Sequence, residues 1–562
     1  MKCSPRHASF VLLALVLAGR VVLAAGVGPE RGAVASAHPL ASQAGVEILA
    51  RGGNAFDAAV AVSAALGVVE PVGSGLGGGG FFLLHREADG LNVMIDGREV
   101  APAAAEADMY LDAAGDPMPR ASRDGPLAAG IPGLPAALVH LAEHYGRLPL
   151  EESLQPAIRY ARDGYRAHAA FANGLARRGR SMNAAARAVF LPGGEPPAEG
   201  STFRQEDLAA TLTALAREGF DGFYRGDVAA RLVDGARAGG GIWTLEDLAS
   251  YRVVEREPLV GTYDGATIIS TPPPSSGGVA LINMLNIVSG YDLEQLDTVT
   301  RTHLFAEAMR RAYRDRAEYL GDTDFVDVPL ERLLNPFYAA GQRMSMRIDQ
   351  ATPSDTLPGI RVSGAAGGDQ TSHFSILDAE GNAVAATQSI NFPYGSGFMP
   401  PGTGVILNNE MDDFSMKPGV ANGYQLLGGA ANAIAPGKRM LSSMTPTILL
   451  DADGLAVLGT PGGSRIITMV FLASLAWIDG ADATAMVSLP RIHHQYSPDR
   501  IGYEGDALTA EQVAELEALG HSLARARGDF GNMHVVTWDF ATGRVDAASD
   551  PRGIGEPRFY VP

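Results

Sequence analysis

Residues 55–66 read AFDAAVAVSAAL, a helix-length run that is small and apolar on nearly every face. A helix with no polar face has to be buried, so the chain must build layers around it. Asn54 stands where it can cap that helix, and Pro71 and Gly73 stop it. Just upstream, Leu40, Ala44, Ile48 and Leu49 recur at helical spacing as far as Gly52–Gly53. Glycine supplies 68 of the 562 residues, much of it in clustered turns, which favours a loop-rich α/β enzyme over a helical bundle. With 46% apolar residues there is ample material for one or more cores.

Gly75-Leu-Gly-Gly-Gly-Gly80 precedes two candidate strands, 81–85 and 91–95, and Asp96-Gly-Arg-Glu99 falls at the end of the second. Residues 125–345 read as mostly helical, with clear pieces at 135–145, 154–163, 203–218 and 302–319; residues 263–270 read as one strand. Residues 346–370 are polar and rich in small side chains, the composition of an exposed linker. The pattern changes sharply at Thr371. Residues 373–377 and 383–389 form a strand pair around a turn at 378–382, and further strands are expected at 447–450, 455–459 and 533–539, with a helix at 466–478.

The first 24 residues have the features of an export signal: Lys2, Arg6 and His7 ahead of an apolar run, and Val22 and Ala24 as a small-residue cleavage pattern. A periplasmic or secreted location is expected. Arg20 interrupts the run, which argues against a membrane span. Cys3 is the only cysteine and goes with that segment, so the mature chain has no disulfide and no thiolate nucleophile. The formal net charge of -19 argues against nucleic acid as a partner.

A threonine that starts a strand is ordinarily inert. If the peptide bond before Thr371 is cut, however, the residue gains an α-amine of pKa about 8, which can take the proton of its own hydroxyl. One residue then serves as nucleophile and base, and the same hydroxyl can attack the Gln370 carbonyl to make the cut.

Several segments, in order along nearly the whole mature chain, resemble the gamma-glutamyltransferase (gamma-glutamyltranspeptidase) family. They are Gly75-Leu-Gly-Gly-Gly-Gly-Phe81, Asp96-Gly-Arg-Glu99, Thr371-Ser-His-Phe-Ser375, Leu407-Asn-Asn-Glu-Met-Asp-Asp-Phe414, Pro418-Gly419, Leu441-Ser-Ser-Met444, Pro461-Gly-Gly-Ser-Arg465 and Ser549-Asp-Pro-Arg552. The resemblance implies an α+β fold, a four-layer αββα sandwich of the N-terminal-nucleophile hydrolase type. It also implies one precursor cut between Gln370 and Thr371 into a large subunit, 25–370, and a small one, 371–562. The implied activity moves the γ-glutamyl group of glutathione and related compounds to water or to an amino-acid or peptide acceptor, with no cofactor and no metal.

The resemblance also assigns roles. Thr371 is the nucleophile, and Ser389 orients it where the family more often has threonine; Ser372 is a second mild departure. Gly462 and Gly463 form the oxyanion hole, through backbone N–H groups that glycine leaves accessible. Arg98, Ser442 and Ser443 take the substrate α-carboxylate; Glu410, Asp413 and Asn391 take its α-ammonium. The two sets are expected on opposed sides of the pocket, reading a zwitterion. Residues 418–429, with Tyr424, resemble a lid. The glycine run at 75–80 lacks the context of a phosphate loop and is read as close packing near Arg98. His493 and His494 are read as core or hydrogen-bonding residues. Two alternatives stand beside this reading: a cephalosporin or glutaryl side-chain acylase of the same fold, and a non-catalytic secreted binding protein.

Overall fold

The computed structural model describes residues 27–360 and 371–562. The leader at 1–24, the end of the linker and Gln370 lie outside the described residues.

The apolar helix is Ala55–Val69, with every residue buried. Asn54 accepts from the N–H groups of Phe56 and Asp57, while Asp57 accepts from the Asn54 N–H. This reciprocal box satisfies donors that the first turn leaves without helical partners. Together with Pro39–Ala50 and Leu134–His144, the helix covers one face of a seven-stranded sheet. In spatial order the strands are Arg558–Tyr560, Gly32–Ser36, Ser372–Leu377, Ala383–Ser389, Gly79–Arg86, Leu91–Gly97 and Val254–Arg256.

A six-stranded sheet packs on the other face, in the order Val545–Ser549, His534–Asp539, Gly454–Gly459, Thr447–Leu450, Ala266–Ser270 and Leu259–Tyr263. Helices Gly277–Val288, Ile466–Ile478 and Ala483–Ser488 cover its far side, and Thr298–Tyr319 packs on the first of these. The layers are therefore αββα. Within both large sheets neighbouring strands are antiparallel. That replaces the α/β expectation drawn from glycine content with the α+β class. Glycine clusters mark turns, and turns serve hairpins as well as crossovers.

Central strands carry apolar residues on both faces because both faces are covered. In Gly79–Arg86, Phe82 and Leu84 enter the core under the helices. Phe81 and Leu83 enter the core shared with the six-stranded sheet. The alternation is the period of two of a pleated strand.

Two corrections to the strand assignments follow. Residues 263–270 are not one strand but the second half of a hairpin, Leu259–Tyr263 with Ala266–Ser270. Asp264 and Gly265 turn it with φ of 45° and 82°, positive at both central positions as a two-residue hairpin turn requires. The short strands Gly32–Ser36 and Arg558–Tyr560 are additional to the sequence reading; three to five residues give too little periodicity to register.

Position 371 is not a boundary between folding units. Ser372–Leu377 is flanked by Gly32–Ser36 on one side and Ala383–Ser389 on the other. Segments from both sides of the expected cut thus share one sheet and both cores.

Candidate active site

Strand register assembles the site. Ser372 pairs with Gln388, so the next pair outward is Thr371 with Ser389. Ser389 pairs with Gly79 on the following strand. Gly80 pairs with Gly97, which sets Gly79 level with Arg98. Thr371, Ser389, Gly79 and Arg98 therefore form one row across four adjacent strands, at the edge where the chain leaves the sheet.

The side chains follow from that row. Thr371 Oγ1 lies 3.3 Å from Ser389 Oγ. Ser389 Oγ accepts from the Asn391 N–H at 2.8 Å, which holds the hydroxyl toward the threonine. Thr371, Ser389, Asn391, Arg98, Glu410, Asp413, Ser442, Ser443, Gly463 and Tyr424 line one narrow cleft of about 20 Å³, room for roughly one water. Of the residues expected in the site, Gly462 alone lies just behind this lining, and Gln370 lies outside the described residues.

Arg98 is 1% exposed. Its N–H is held by Asp96 at 2.9 Å, and its carbonyl accepts from Tyr251 at 2.8 Å. The guanidinium donates from Nη1 to Glu410 at 2.7 Å, from Nη2 to Asp413 at 2.6 Å, and from Nε to the Met440 carbonyl at 3.3 Å. Glu410–Asp413 is a 3-10 turn, in which residues i and i+3 eclipse. That geometry brings both carboxylates onto one cation. Three of five guanidinium donors are engaged, which leaves two for a ligand.

This corrects the expectation of two separated sides. Arg98 touches Glu410 and Asp413 directly, because charges withdrawn from water must be paired. The cluster is acid-rich: Glu99, also fully buried, approaches Arg98 at 3.8 Å. Burial, and then the neighbouring Glu410, hold the Glu99 carboxyl well above its usual range. Burial also pushes Glu410 up to about 8; Arg98 pulls the other way, but Asp413 adds to the rise. Against the effect of its own burial, Glu410, Asp413 and Glu99 keep the Arg98 guanidinium firmly protonated.

Asn391 commits its amide N–H to the Asn409 carbonyl at 3.0 Å, leaving the oxygen as the group able to accept from an ammonium. Asn408 makes four bonds: its amide nitrogen donates to the carbonyls of Gly77 and Gly130, and its oxygen accepts from the N–H groups of Gly130 and Glu410. The acidic turn is thereby locked to the glycine run. That run is closely packed as expected: a Cβ on Gly78 would stand 2.0 Å from the Ser389 carbonyl oxygen.

Gly462 and Gly463 have φ of 140° and 56°, conformations open to glycine at little cost. A Cβ on Gly463 would lie 2.4 Å from the Tyr424 ring. Tyr424 stacks on Phe392 with centroids 4.6 Å apart and donates to the Asn391 carbonyl at 3.0 Å. The segment around it is tied down by Asp412, which accepts from the Gly423 N–H at 2.8 Å.

Two participants were missed in the sequence. Asp412, one of three acids in the Glu410–Asp413 turn, carries no sequence signal that sets it apart from its neighbours. Arg316, on Thr298–Tyr319, is buried behind the serine pair and donates to Ser443 Oγ at 3.4 Å and to Ser276 Oγ at 3.0 Å. Burial lowers its pKa to about 10. A helix carrying Arg310, Arg311, Arg314 and Arg316 reads as a solvated face, so periodicity gave no signal.

His493 is bonded by Thr468 and Gln495, and His494 by Asp499 and Tyr496, as hydrogen-bonding histidines. Elsewhere His303, Glu307 and His521 bring ligand-type atoms within 4.8 Å of one another. Glu307 is already engaged by Arg310, Arg311 and Thr352, and His303 bonds His521 at 2.8 Å. Those lone pairs serve a buried polar tie.

Chemically, the cleft offers a threonine hydroxyl beside an orienting serine, a glycine turn able to hold an oxyanion, and a cluster that can meet both charges of an amino-acid head. The layers and the place of Thr371 at the head of a central strand define an N-terminal-nucleophile hydrolase. The family model for gamma-glutamyltranspeptidase matches residues 41–560. The glutathione hydrolase proenzyme of Escherichia coli (strain K12) is 41% identical over 538 residues, covering 94% of this chain and 92% of that protein. Among solved structures, the cephalosporin acylase of Bacillus halodurans superposes with a TM-score of 0.82 at 27% identity over 99% of both chains. A chain of Helicobacter pylori gamma-glutamyltranspeptidase superposes with a TM-score of 0.57 at 43% identity, covering 58% of this chain and 94% of that one. The chain belongs to the gamma-glutamyltranspeptidase family.

Proposed function

We propose that this chain is the exported precursor of a threonine amidohydrolase and acyltransferase acting on glutathione and other γ-glutamyl compounds. The observation that carries the reading is the meeting in one cleft of Thr371 with Arg98, Glu410, Asp413, Asn391, Ser442 and Ser443. In maturation the Thr371 hydroxyl adds to the Gln370 carbonyl, the peptide C–N bond breaks, and water releases the ester. Residues 25–370 and 371–562 remain as the two subunits, and Thr371 gains its α-amine.

In turnover that amine takes the hydroxyl proton as Oγ1 bonds to the γ-carbonyl carbon. Gly462 and Gly463 hold the oxyanion. The proton passes to the leaving nitrogen, the amide breaks, and a γ-glutamyl ester stays on Thr371. Water or an acceptor amine then attacks the ester and gives its proton back through the same amine. Arg98 with Ser442 and Ser443 meets the substrate α-carboxylate; Glu410, Asp413 and Asn391 meet the α-ammonium.

The full-length likeness to a cephalosporin acylase supports a second reading, cleavage of glutaryl side chains. A glutaryl group lacks the ammonium and would leave the acid cluster without its cation, an uncompensated loss. The glutamyl reading is therefore preferred, and comparing hydrolysis of a γ-glutamyl anilide with that of a glutaryl-cephalosporin separates the two.

Wild-type protein should run as two pieces on a denaturing gel, and a slow γ-glutamyl donor should add one γ-glutamyl mass to Thr371. Thr371→Ala should stay a single inactive chain. A Thr371→Ala protein that is cut and turns over donors at the normal rate would falsify the proposal.

A further inference from the structure

A groove of about 490 Å³ shares no residue with the cleft that holds Thr371. Its walls come from both sides of position 371, with Leu293 and Phe305 before it and Leu472, Leu475 and Ile492 after it. Phe305 packs edge-on against Phe471, with ring centroids 5.2 Å apart, so the two walls are joined by aromatic packing. The body of the groove is apolar, and covering it with an apolar group releases water from both surfaces.

Two opposite charges stand in this groove and form no ion pair with each other. Arg301 spends Nη2 on the Leu293 carbonyl at 2.8 Å, and its Nε is buried with no hydrogen-bond partner. Asp479 follows the last turn of Ile466–Ile478, where the free carbonyls carry the negative end of the helix dipole. Burial raises the Asp479 carboxyl above its usual range; Arg301 opposes the rise, while Glu294 and Asp264 add to it. The arginine end suits a carboxylate, which would pair the guanidinium through planar donors. The aspartate end, with the acids around it, suits an ammonium. A fatty acid would answer Arg301 but meet those acids, and an apolar amine would leave Arg301 as it is. An α-amino acid carries both charges on one carbon, and a large apolar side chain fills the rest of the groove.

We propose that this groove is a second ligand site, for a free α-amino acid with a large apolar side chain, its carboxylate on Arg301 and its ammonium on Asp479. Ile466 lines the cleft and Asp479 the groove, 13 residues apart (479 minus 466) along one helix and its cap. That is about 20 Å of helix. An amino acid bound here is out of reach of Thr371 and takes no part in the chemistry there. Its contacts run to segments from both sides of position 371, so it fastens them to each other. The site stands independently of the γ-glutamyl reading.

The test is calorimetry of the matured enzyme with L-phenylalanine, the cleft being kept saturated with L-glutamate. L-Phenylalanine should bind. N-acetyl-L-phenylalanine, which lacks the ammonium, and L-phenylalanine amide, which lacks the carboxylate, should each bind about fivefold more weakly, the scale of one partly solvated ion pair. Glycine, with no side chain to bury, should show no measurable binding. Arg301→Gln should weaken phenylalanine binding about fivefold and erase its advantage over the amide. Asp479→Asn should erase its advantage over the N-acetyl form. Hydrogen exchange of the wild-type enzyme gives a reading free of substitutions: phenylalanine should slow the amides of residues 293–302 and 475–481. No binding of phenylalanine overturns the site. Binding that is unchanged in both variants, or that leaves exchange in those segments unchanged, puts the ligand elsewhere and overturns it too. Equal affinity for phenylalanine, its amide and its N-acetyl form overturns the assignment to an amino acid.

Discussion

Glu410 occupies an unusual position for a carboxyl group, fully buried among Arg98, Asp413 and Glu99 with its pKa raised to about 8. Near neutral pH the buried acids Glu410 and Glu99 therefore keep a proton between them. An α-ammonium arriving beside them favours the carboxylates, so binding should expel that proton. Calorimetry of L-glutamate binding to the matured enzyme, in two buffers of different ionisation enthalpy, should show proton release of a sizeable fraction of one at pH 7. As pH rises and these acids ionise, release should fall. Glu410→Gln should remove the release at pH 7 as well. The sign for stability follows from the same shift: the native carboxyl keeps a proton that the unfolded chain gives up. The contribution is thus present below the ordinary glutamate value and is lost as pH rises through about 8.

At the scale of elements, the segment carrying Tyr424 is held from several sides, by Gln495 at the Tyr424 and Gln425 carbonyls, by Asn391 at the Tyr424 hydroxyl and by the buried carboxylate of Asp412. Asp412 accepts from the Gly423 N–H while its other oxygen takes Ser122 Oγ at 2.6 Å and Arg123 Nε at 3.2 Å. The cleft beneath is narrow, and Tyr424 forms part of its wall. Bonds to a charged acceptor contribute about 1.5–3 kcal/mol. Asp412→Ala should accordingly speed hydrogen exchange at the Gly423 amide by tenfold or more, with little change at the central strand Ser372–Leu377. Equal exchange at Gly423 in both proteins would show that the lid is held by something else.

For the molecule as a whole, the proposed cut before Thr371 falls at the head of a central strand of a shared sheet. Gly32–Ser36 hydrogen-bonds Ser372–Leu377 on one side and Arg558–Tyr560 on the other. Separating the two pieces would expose both cores and break four strand pairings, Gly32–Ser36 with Arg558–Tyr560 and with Ser372–Leu377, Gly79–Arg86 with Ala383–Ser389, and Ala266–Ser270 with Thr447–Leu450. The processed protein should therefore elute as one particle containing both pieces and release them only in denaturant, and residues 371–562 expressed alone should not fold. Recovery of a folded, monodisperse 371–562 fragment by size exclusion and circular dichroism would contradict the interleaved architecture.

The chain's local elements were legible in its sequence wherever a long pattern existed. Helix Ile466–Ile478 and strand Ala383–Ser389 match their expected bounds, and Asn54 caps the helix it was expected to cap. The residues that line the cleft with Thr371 were legible as motifs through the family resemblance. Periodicity could not supply their arrangement. The row from Thr371 to Arg98 exists because two local hairpins lie side by side in one register, and the pairing that joins them, Ser389 with Gly79, spans 310 residues of chain (389 minus 79). Burial likewise decided that Arg98 grips Glu410 and Asp413 and that Arg316 stands behind Ser443. A charged residue looks the same in sequence whether it faces water or a core, because only the packed fold sets the dielectric around it and the partner it must find.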